Sequence, residues 1–431
     1  MTPAALEGSV DDLLPVAESL FGEIGRRTLR DGATCREPFG SGEQIAADLV
    51  AEAARGLDLD VTKDLANNVH MTWNAVPGDT QLCLTGSHLD SVPRGGNFDG
   101  LAGVLGGLVA VAALKRAGLR PSRNIAVVAM RGEENAWFAC NHIGSRIALG
   151  LFDPRLLDQA KRYDTGLSLG HYMKEAAIDL QPIRARQASI TPARVRCFLE
   201  LHIEQGPILE DRGLAVGVVT GIRGNVRHRT CRCTGAYGHA GTVPRKLRQD
   251  AVIAVAELIV EMDRLWASQE ASGQDLVMTF GQVGTDPAAH SVTVIPGEVT
   301  FSFEARSHSQ NLLAQVEEDL RRLAASIALN RGVTFAFDQD SWSAPVLMDA
   351  ALRRKLMATA AEFAIPTIEL ASGAGHDAGD FAEDGVPSGM VFVRNPNGSH
   401  NPDESMSIAD FRAAALLLSL VLGQEASAKT G

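Results

Sequence analysis

The stretch Gly86–Gly100, GSHLDSVPRGGNFDG, constrains the fold more than any other part of the chain. It follows an apolar strand-like run, Leu82–Thr85, and leads into a small-residue helix-like run, Leu101–Ala117. That order of strand, loop and helix is the building unit of an α/β sheet. The loop offers His88, Asp90 and Asp99, set among glycines and a proline. A histidine and two carboxylates at the end of a strand suit a divalent metal.

The rest of the first 200 residues repeats the alternation. Val10–Leu29 has the spacing of one amphipathic helix, and Glu43–Leu57 of a second. Asn67–Val76 and Gln81–Thr85 read as strands joined by a Pro77–Gly78 turn. Asn124–Met130, NIAVVAM, is an uninterrupted apolar strand, as expected inside a sheet covered on both faces. Cys197–Ile203 is another strand. From about Leu214 to Asp338 the texture changes to strands Ala215–Thr220 and Val226–Cys233, helix Asp250–Ala267, strands Leu276–Val283 and Glu298–Ala305, helix Gln310–Asn330 and strand Val333–Phe337. The predicted fold class is therefore α/β. A catalytic sheet domain with helices on both faces (1–213 and 339–431) is interrupted by a smaller α+β domain (214–338). Asp349–Ala364 and Asp410–Leu422 read as helices, Thr367–Leu370 and Gly389–Arg394 as strands, and the end, GQEASAKTG, as a loose tail.

Composition narrows the function classes. The formal net charge is −12, which argues against a nucleic-acid surface and its basic patch. No apolar run approaches the ~18 residues of a membrane span. The N-terminus lacks a signal-peptide pattern, and six scattered cysteines suit reduced thiols, so a cytoplasmic protein is expected. Cys231 and Cys233 read as alternate positions on one strand face.

In open α/β sheets ligands collect beyond the carboxyl ends of the strands. Four predicted strand ends carry metal-type residues: His88 and Asp99, then Glu133–Glu134, then His202, then His400. Five ligands exceed the roughly three that one catalytic zinc uses. They suffice for two divalent ions if one carboxylate bridges, and Asp99, just before a helix, is placed to do so. Mixed N/O ligation without thiolate suits Zn, Mn, Co or Ni. Asp90 is the natural carboxylate partner of a metal-bound His88. Glu133, beside ligand Glu134, is the general base and later the acid to the leaving nitrogen. A lone histidine at a strand–loop junction is more often structural, and His70, His142, His171, His228 and His290 receive that reading.

As a set, GSHLDSVPRGGNFDGLAGVLGGL, the Glu-Glu of GEEN, LHIEQGP, GHAGTVP, IPGEV, SGAGHDA and SHNPDE resemble the dinuclear-metal amidohydrolases of the M20 peptidase superfamily. The match is to the branch of N-carbamoyl-L-amino-acid hydrolases, allantoate amidohydrolases and β-ureidopropionases. The resemblance implies that the inserted domain is a lid that also makes a homodimer. It implies the metal and base roles given above. It implies that His239, in GHAGTVP, reaches the partner subunit's active site and stabilises the oxyanion. Gln205 would contact the ureido group, and Arg306, in FEARS, would hold the substrate carboxylate; His376, in SGAGHDA, falls among the substrate contacts. Three departures stand out. Thr293 replaces an asparagine frequent just before VIPG, Asn135–Ala136–Trp137–Phe138 follows Glu134, and Gly379–Asp380 follows SGAGHDA. Trp137 suits either an enlarged pocket or core packing.

The expected activity is hydrolysis of a linear amide or ureido C–N bond in an N-carbamoyl amino acid by a metal-bridging water. The expected partner is a small substrate bearing a carboxylate, with no nucleic acid and no membrane. An N-acyl-amino-acid amidohydrolase or dipeptidase-like enzyme is the alternative; a non-catalytic binding protein on the same fold would have lost a ligand or the base.

Overall fold

Four strands run parallel at the centre of the larger sheet, in the order Asn124–Met130, Leu82–His88, Val195–Ile203 and Ser388–Val393. The first and last are buried at every residue, as strands covered on both faces must be. Antiparallel strands extend the sheet. Val69–Trp73 and then Asp60–Lys63 lie beyond Asn124–Met130, and Val216–Ile222 lies beyond Ser388–Val393. The computed structural model describes residues 2–428.

Side-chain alternation assigns the two faces of the central strand. Leu199, Leu201 and Ile203 point into the main core with Leu101, Leu105 and Leu108. The helix Leu101–Arg116 packs there, against the closing helix Ile408–Ser427. On the opposite face Phe198 stacks on Phe381 of the helix Asp377–Glu383, ring centroids 4.1 Å apart. Glu200 and His202 share that face by the same alternation.

The chain divides into two compact units, one of residues up to Thr220 and from Met348, the other Gly221–Leu347. The division falls later than the composition change at Leu214, because Val216–Ile222 pairs with Ser388–Val393 in the large sheet. The second unit has its own antiparallel sheet of Val277–Thr279, Glu298–Ser307, Gly224–Thr234 and Thr334–Ala336. The helices Ala251–Ala271 and Gln310–Arg331 share a core with it that contains Leu258, Leu320, Phe301 and Phe303. Cys231 and Cys233 face that core from one strand face, as expected.

Three local expectations are corrected. Val10–Leu29 is not one helix but two, Pro3–Asp11 and Leu14–Thr28. Pro15 lies in the first turn of the second, where its missing N–H costs nothing. Leu276–Val283 is not one strand. Val277–Thr279 and Val283–Thr285 pair separately with Glu298–Ser307, on either side of Gly281 and opposite an irregularity at Phe301–Phe303. The tail from Gly423 is helical to Ser427, where Leu417–Leu422 and Ala426 are buried; residues 429–431 lie outside the described residues. Among the described residues no helix is long and apolar enough to cross a membrane.

Candidate metal centre

The parallel strands deliver their carboxyl ends to one place. His88 ends its strand, Glu133 and Glu134 follow Met130, and His202 is the last residue but one of Val195–Ile203. Two groups of ligand-type atoms there share Asp99, His88–Asp99–His202 and Asp99–Glu134–His400, and a third, Glu200–His202–His376, shares His202 with the first. Asp99 Oδ1 stands 3.1 Å from His202 Nε2 and 3.5 Å from His88 Nε2. Its Oδ2 stands 3.4 Å from His400 Nε2, which is 3.2 Å from Glu134 Oε1. Each ring is oriented from behind: His202 Nδ1 lies 2.9 Å from the Ile203 carbonyl, and His88 Nδ1 lies 3.1 Å from the Asp90 carbonyl. Such contacts fix a ring's tautomer and free the other nitrogen for a metal.

Asp99 does not cap the following helix, whose N-cap is Gly100 with no side-chain cap bond. Gly100 has φ 67°, and a Cβ there would lie 2.4 Å from His88 Nδ1. The loop can bring Asp99 and His88 together only with glycine at this position.

The residue set fits divalent cations. Asp90, Asp99, Glu133 and Glu134 are all buried within one site, and buried carboxylates need compensating charge. Asp99 Oδ1 is buried and accepts no hydrogen bond. The histidines facing these carboxylates supply part of that compensating charge. His400 is pushed up to about 10 by Asp99 and Glu134. Burial pushes Glu134 up to about 7, with Asp99 and Glu133 adding repulsion. Burial works against the Asp99 carboxylate, yet His202, His400 and His88 hold it well below the usual range.

The turn carrying Glu133 and Glu134 is tied down from several sides. The Asp90 carboxylate accepts both their backbone N–H groups, each at 3.0 Å. It is 3.5 Å from His88 Nδ1, so Asp90 holds the Glu133–Glu134 turn as directly as it faces the histidine. Buried Glu43 accepts from Gly132 N at 2.9 Å and from Arg131 Nε at 2.6 Å. Glu404 and Arg36 hold the loop around Asp99: Glu404 Oε1 accepts from Phe98 N and Asp99 N, and Arg36 donates to the carbonyls of Leu89 and Asp99. Glu404 lies inside SHNPDE, so its motif was visible; nothing in the sequence around Arg36 or Glu43 marked them.

Gln205 donates from Nε2 to Asp99 Oδ2 at 2.9 Å, and its buried Oε1 has no partner. His376 is 1 % exposed; its ring meets His202 edge-on at 4.5 Å and its Nε2 is 2.8 Å from Ser372 Oγ. Burial and the neighbouring His202 hold His376 well below its ordinary value. Trp137 is buried and donates to the Ser91 carbonyl at 2.7 Å, a core position. His239, Thr293 and Arg306 belong to the second unit. His239 pairs with Val294 in a two-stranded sheet, and just beyond it Ala240 N donates to the Thr293 carbonyl. Arg306 lies on Glu298–Ser307, its Nη2 3.1 Å from Glu304.

Among the histidines read as structural, His228 is buried in the second unit between Glu317 and Asp338. His142 departs from that reading: its Nε2 is 3.1 Å from Glu133 Oε1 and its Nδ1 2.9 Å from Asp380 Oδ2. In sequence it reads as structural because it ends no apolar run.

The chain is similar to known proteins along most of its length. Residues 84–424 match the model of peptidase family M20/M25/M40. The chain is 35% identical over 399 residues to an N-carbamoyl-L-amino acid amidohydrolase of Geobacillus stearothermophilus, covering 92% of this chain and 94% of that one. It is 34% identical over 381 residues to an allantoate amidohydrolase of Escherichia coli, covering 86% and 87%. The fold superposes on a hydantoinase/carbamoylase family amidase of Burkholderia multivorans with TM-score 0.87 and 30% identity, covering 97% and 98%. The extent of these matches shows that the chain belongs to peptidase family M20/M25/M40.

Proposed function

We propose that the chain is an amidohydrolase that cleaves the linear ureido C–N bond of an N-carbamoyl amino acid, giving amino acid, ammonia and carbon dioxide. The observation that carries this reading is the double use of Asp99, one oxygen facing His88 and His202 and the other facing His400, with Glu134 beside that ring. It supports two divalent ions sharing one carboxylate. Such ions supply Lewis acidity, polarising the carbonyl and easing deprotonation of water.

The chain's own residues do the rest. Glu133 Oε2 faces His88 Nε2 at 3.9 Å, on the metal side of the carboxylate. It takes the proton of the attacking water and passes it to the departing nitrogen. The unpartnered Oε1 of Gln205 accepts from the ureido –NH2. Arg306 binds the substrate carboxylate, a group its planar guanidinium can hold bidentately. His239 of a second copy stabilises the oxyanion, and the second unit provides the dimer contact.

Of the two readings of Trp137, its burial and its bond to the Ser91 carbonyl favour core packing over an enlarged pocket. A panel of N-carbamoyl, N-formyl, N-acetyl and aryl-acyl amino acids tests the assignment. Turnover is expected with the carbamoyl members, abolished by chelation and restored by Zn, Mn, Co or Ni. Preference for acetyl or aryl-acyl members would overturn the ureido assignment while leaving the metal assignment standing.

A further inference from the structure

Glu133 has one carboxylate oxygen toward the metal-type residues and one turned away. Oε2 is the one near His88. Oε1 is 3.1 Å from His142 Nε2, and behind the ring His142 Nδ1 is 2.9 Å from Asp380 Oδ2. Asp380 is itself held: Ser145 Oγ donates to Oδ2 at 3.0 Å and Arg146 Nη1 to Oδ1 at 3.4 Å. Glu133 is 7% exposed, His142 8% and Asp380 3%, so the row is shielded from water along its length.

The backbone has been bent to build this row. His142 has φ 55°, a left-handed conformation that a non-glycine residue adopts at a cost. Its N–H donates to the carbonyl of Glu133 at 2.8 Å, so base and histidine are tied by main chain as well as side chain. The ring is admitted by Gly375, where a Cβ would lie 2.9 Å from His142 Nε2. A strained residue, a close glycine and a buried carboxylate all serve one contact, and that contact ends on the base.

We infer that Asp380 and His142 form a positioning pair that fixes the Glu133 carboxylate with Oε2 turned to the reacting water. The inference rests on the reading of Glu133 as general base. As the imidazolium, whose two ring nitrogens both donate, His142 gives Nε2–H to Oε1 and so denies the carboxylate its other rotamers, while Asp380 accepts from Nδ1 and so fixes the ring. Neither residue touches the substrate. Their effect is on how often Glu133 is correctly aimed, which enters kcat and not substrate binding.

The test compares His142→Ala with His142→Gln, and Asp380→Ala with Asp380→Asn. Gln retains an N–H donor toward Glu133, and Asn retains an acceptor toward His142. Both alanine variants are expected to lose about 10- to 100-fold in kcat, the range for residues that orient a catalytic group. KM and metal content stay at wild-type values, and each conservative variant recovers part of the loss. A crystal structure of Asp380→Ala reads the geometry without turnover: the His142 ring is expected to leave Glu133. Wild-type kcat in both alanine variants overturns the inference, as does a loss of kcat matched by loss of bound metal. Glu133→Gln separates the levels. If it remains active, the reading of Glu133 has failed; if it is inactive while the alanine variants turn over normally, only the positioning pair has failed.

Discussion

Single atoms at Gly100 decide whether His88 and Asp99 can share a site. The residue combines φ 67° with a Cβ position 2.4 Å from the His88 ring. Alanine there must adopt the strained γ-turn backbone of φ 67° and ψ −50°, at a cost of roughly 1–3 kcal/mol, and must also displace the ring. Gly100→Ala is expected to keep the fold and lose metal affinity by about 10- to 100-fold, measured by titration calorimetry with Zn or Mn. Unchanged affinity would mean that the His88 ring is not a ligand in this orientation. At this scale the five ligand-type residues were legible because each follows a recognisable strand. His142 and Asp380 were not, because the first ends no apolar run and the second lies in a helix far along the chain, and their partnership exists only through the folded sheet.

Elements differ in how much of them local pattern determines. NIAVVAM reads as a buried central strand and is one, Asn124–Met130, because its burial on both faces leaves no polar position to mislead. Val10–Leu29 misled because the apolar spacing continues across Asp12–Leu13, while the hydrogen-bonded helix does not. The strand Gly224–Thr234 carries a buried histidine whose role has a pH signature. His228 Nε2 is 3.0 Å from Glu317 on the helix Gln310–Arg331, and Nδ1 is 3.2 Å from Asp338. Burial and Arg321 work against the charged ring, yet Glu317 and Asp338 raise its pKa above the ordinary value. A raised folded pKa stabilises fully below the unfolded value, about 6.5, and the contribution fades as pH rises through the folded value. His228→Gln is therefore expected to lower stability by roughly 1.5–3 kcal/mol near pH 6 and by less in alkali. Calorimetric unfolding across that range checks it; an equal gap at both ends would contradict the charged pair.

For the whole molecule, the presence of two units was legible in the change from alternating to mostly antiparallel texture near Leu214. The limits at Gly221 and Leu347 were not, because Val216–Ile222 joins the large sheet through pairing with a strand more than a hundred residues later. His88, Asp99, Glu134, His202 and His400 lie in one unit and His239, Thr293 and Arg306 in the other. If His239 acts across a dimer, two inactive variants complement each other. Mixing Glu133→Gln and His239→Ala chains under exchange conditions is expected to restore about a quarter of wild-type activity, since half the dimers are mixed and one of their two sites is intact. No recovery from chains shown to exchange would place His239 in the same chain's site or outside catalysis. The account as a whole stands on Glu133 acting as a base beside two ions. Ammonia released from N-carbamoyl amino acids, measured together with bound metal for wild type and Glu133→Gln, tests it most directly. The prediction is turnover by the wild type and none by the variant, each holding two ions per chain; a variant that turns over at the wild-type rate, or a metal-loaded wild type that releases no ammonia from any member, would contradict it.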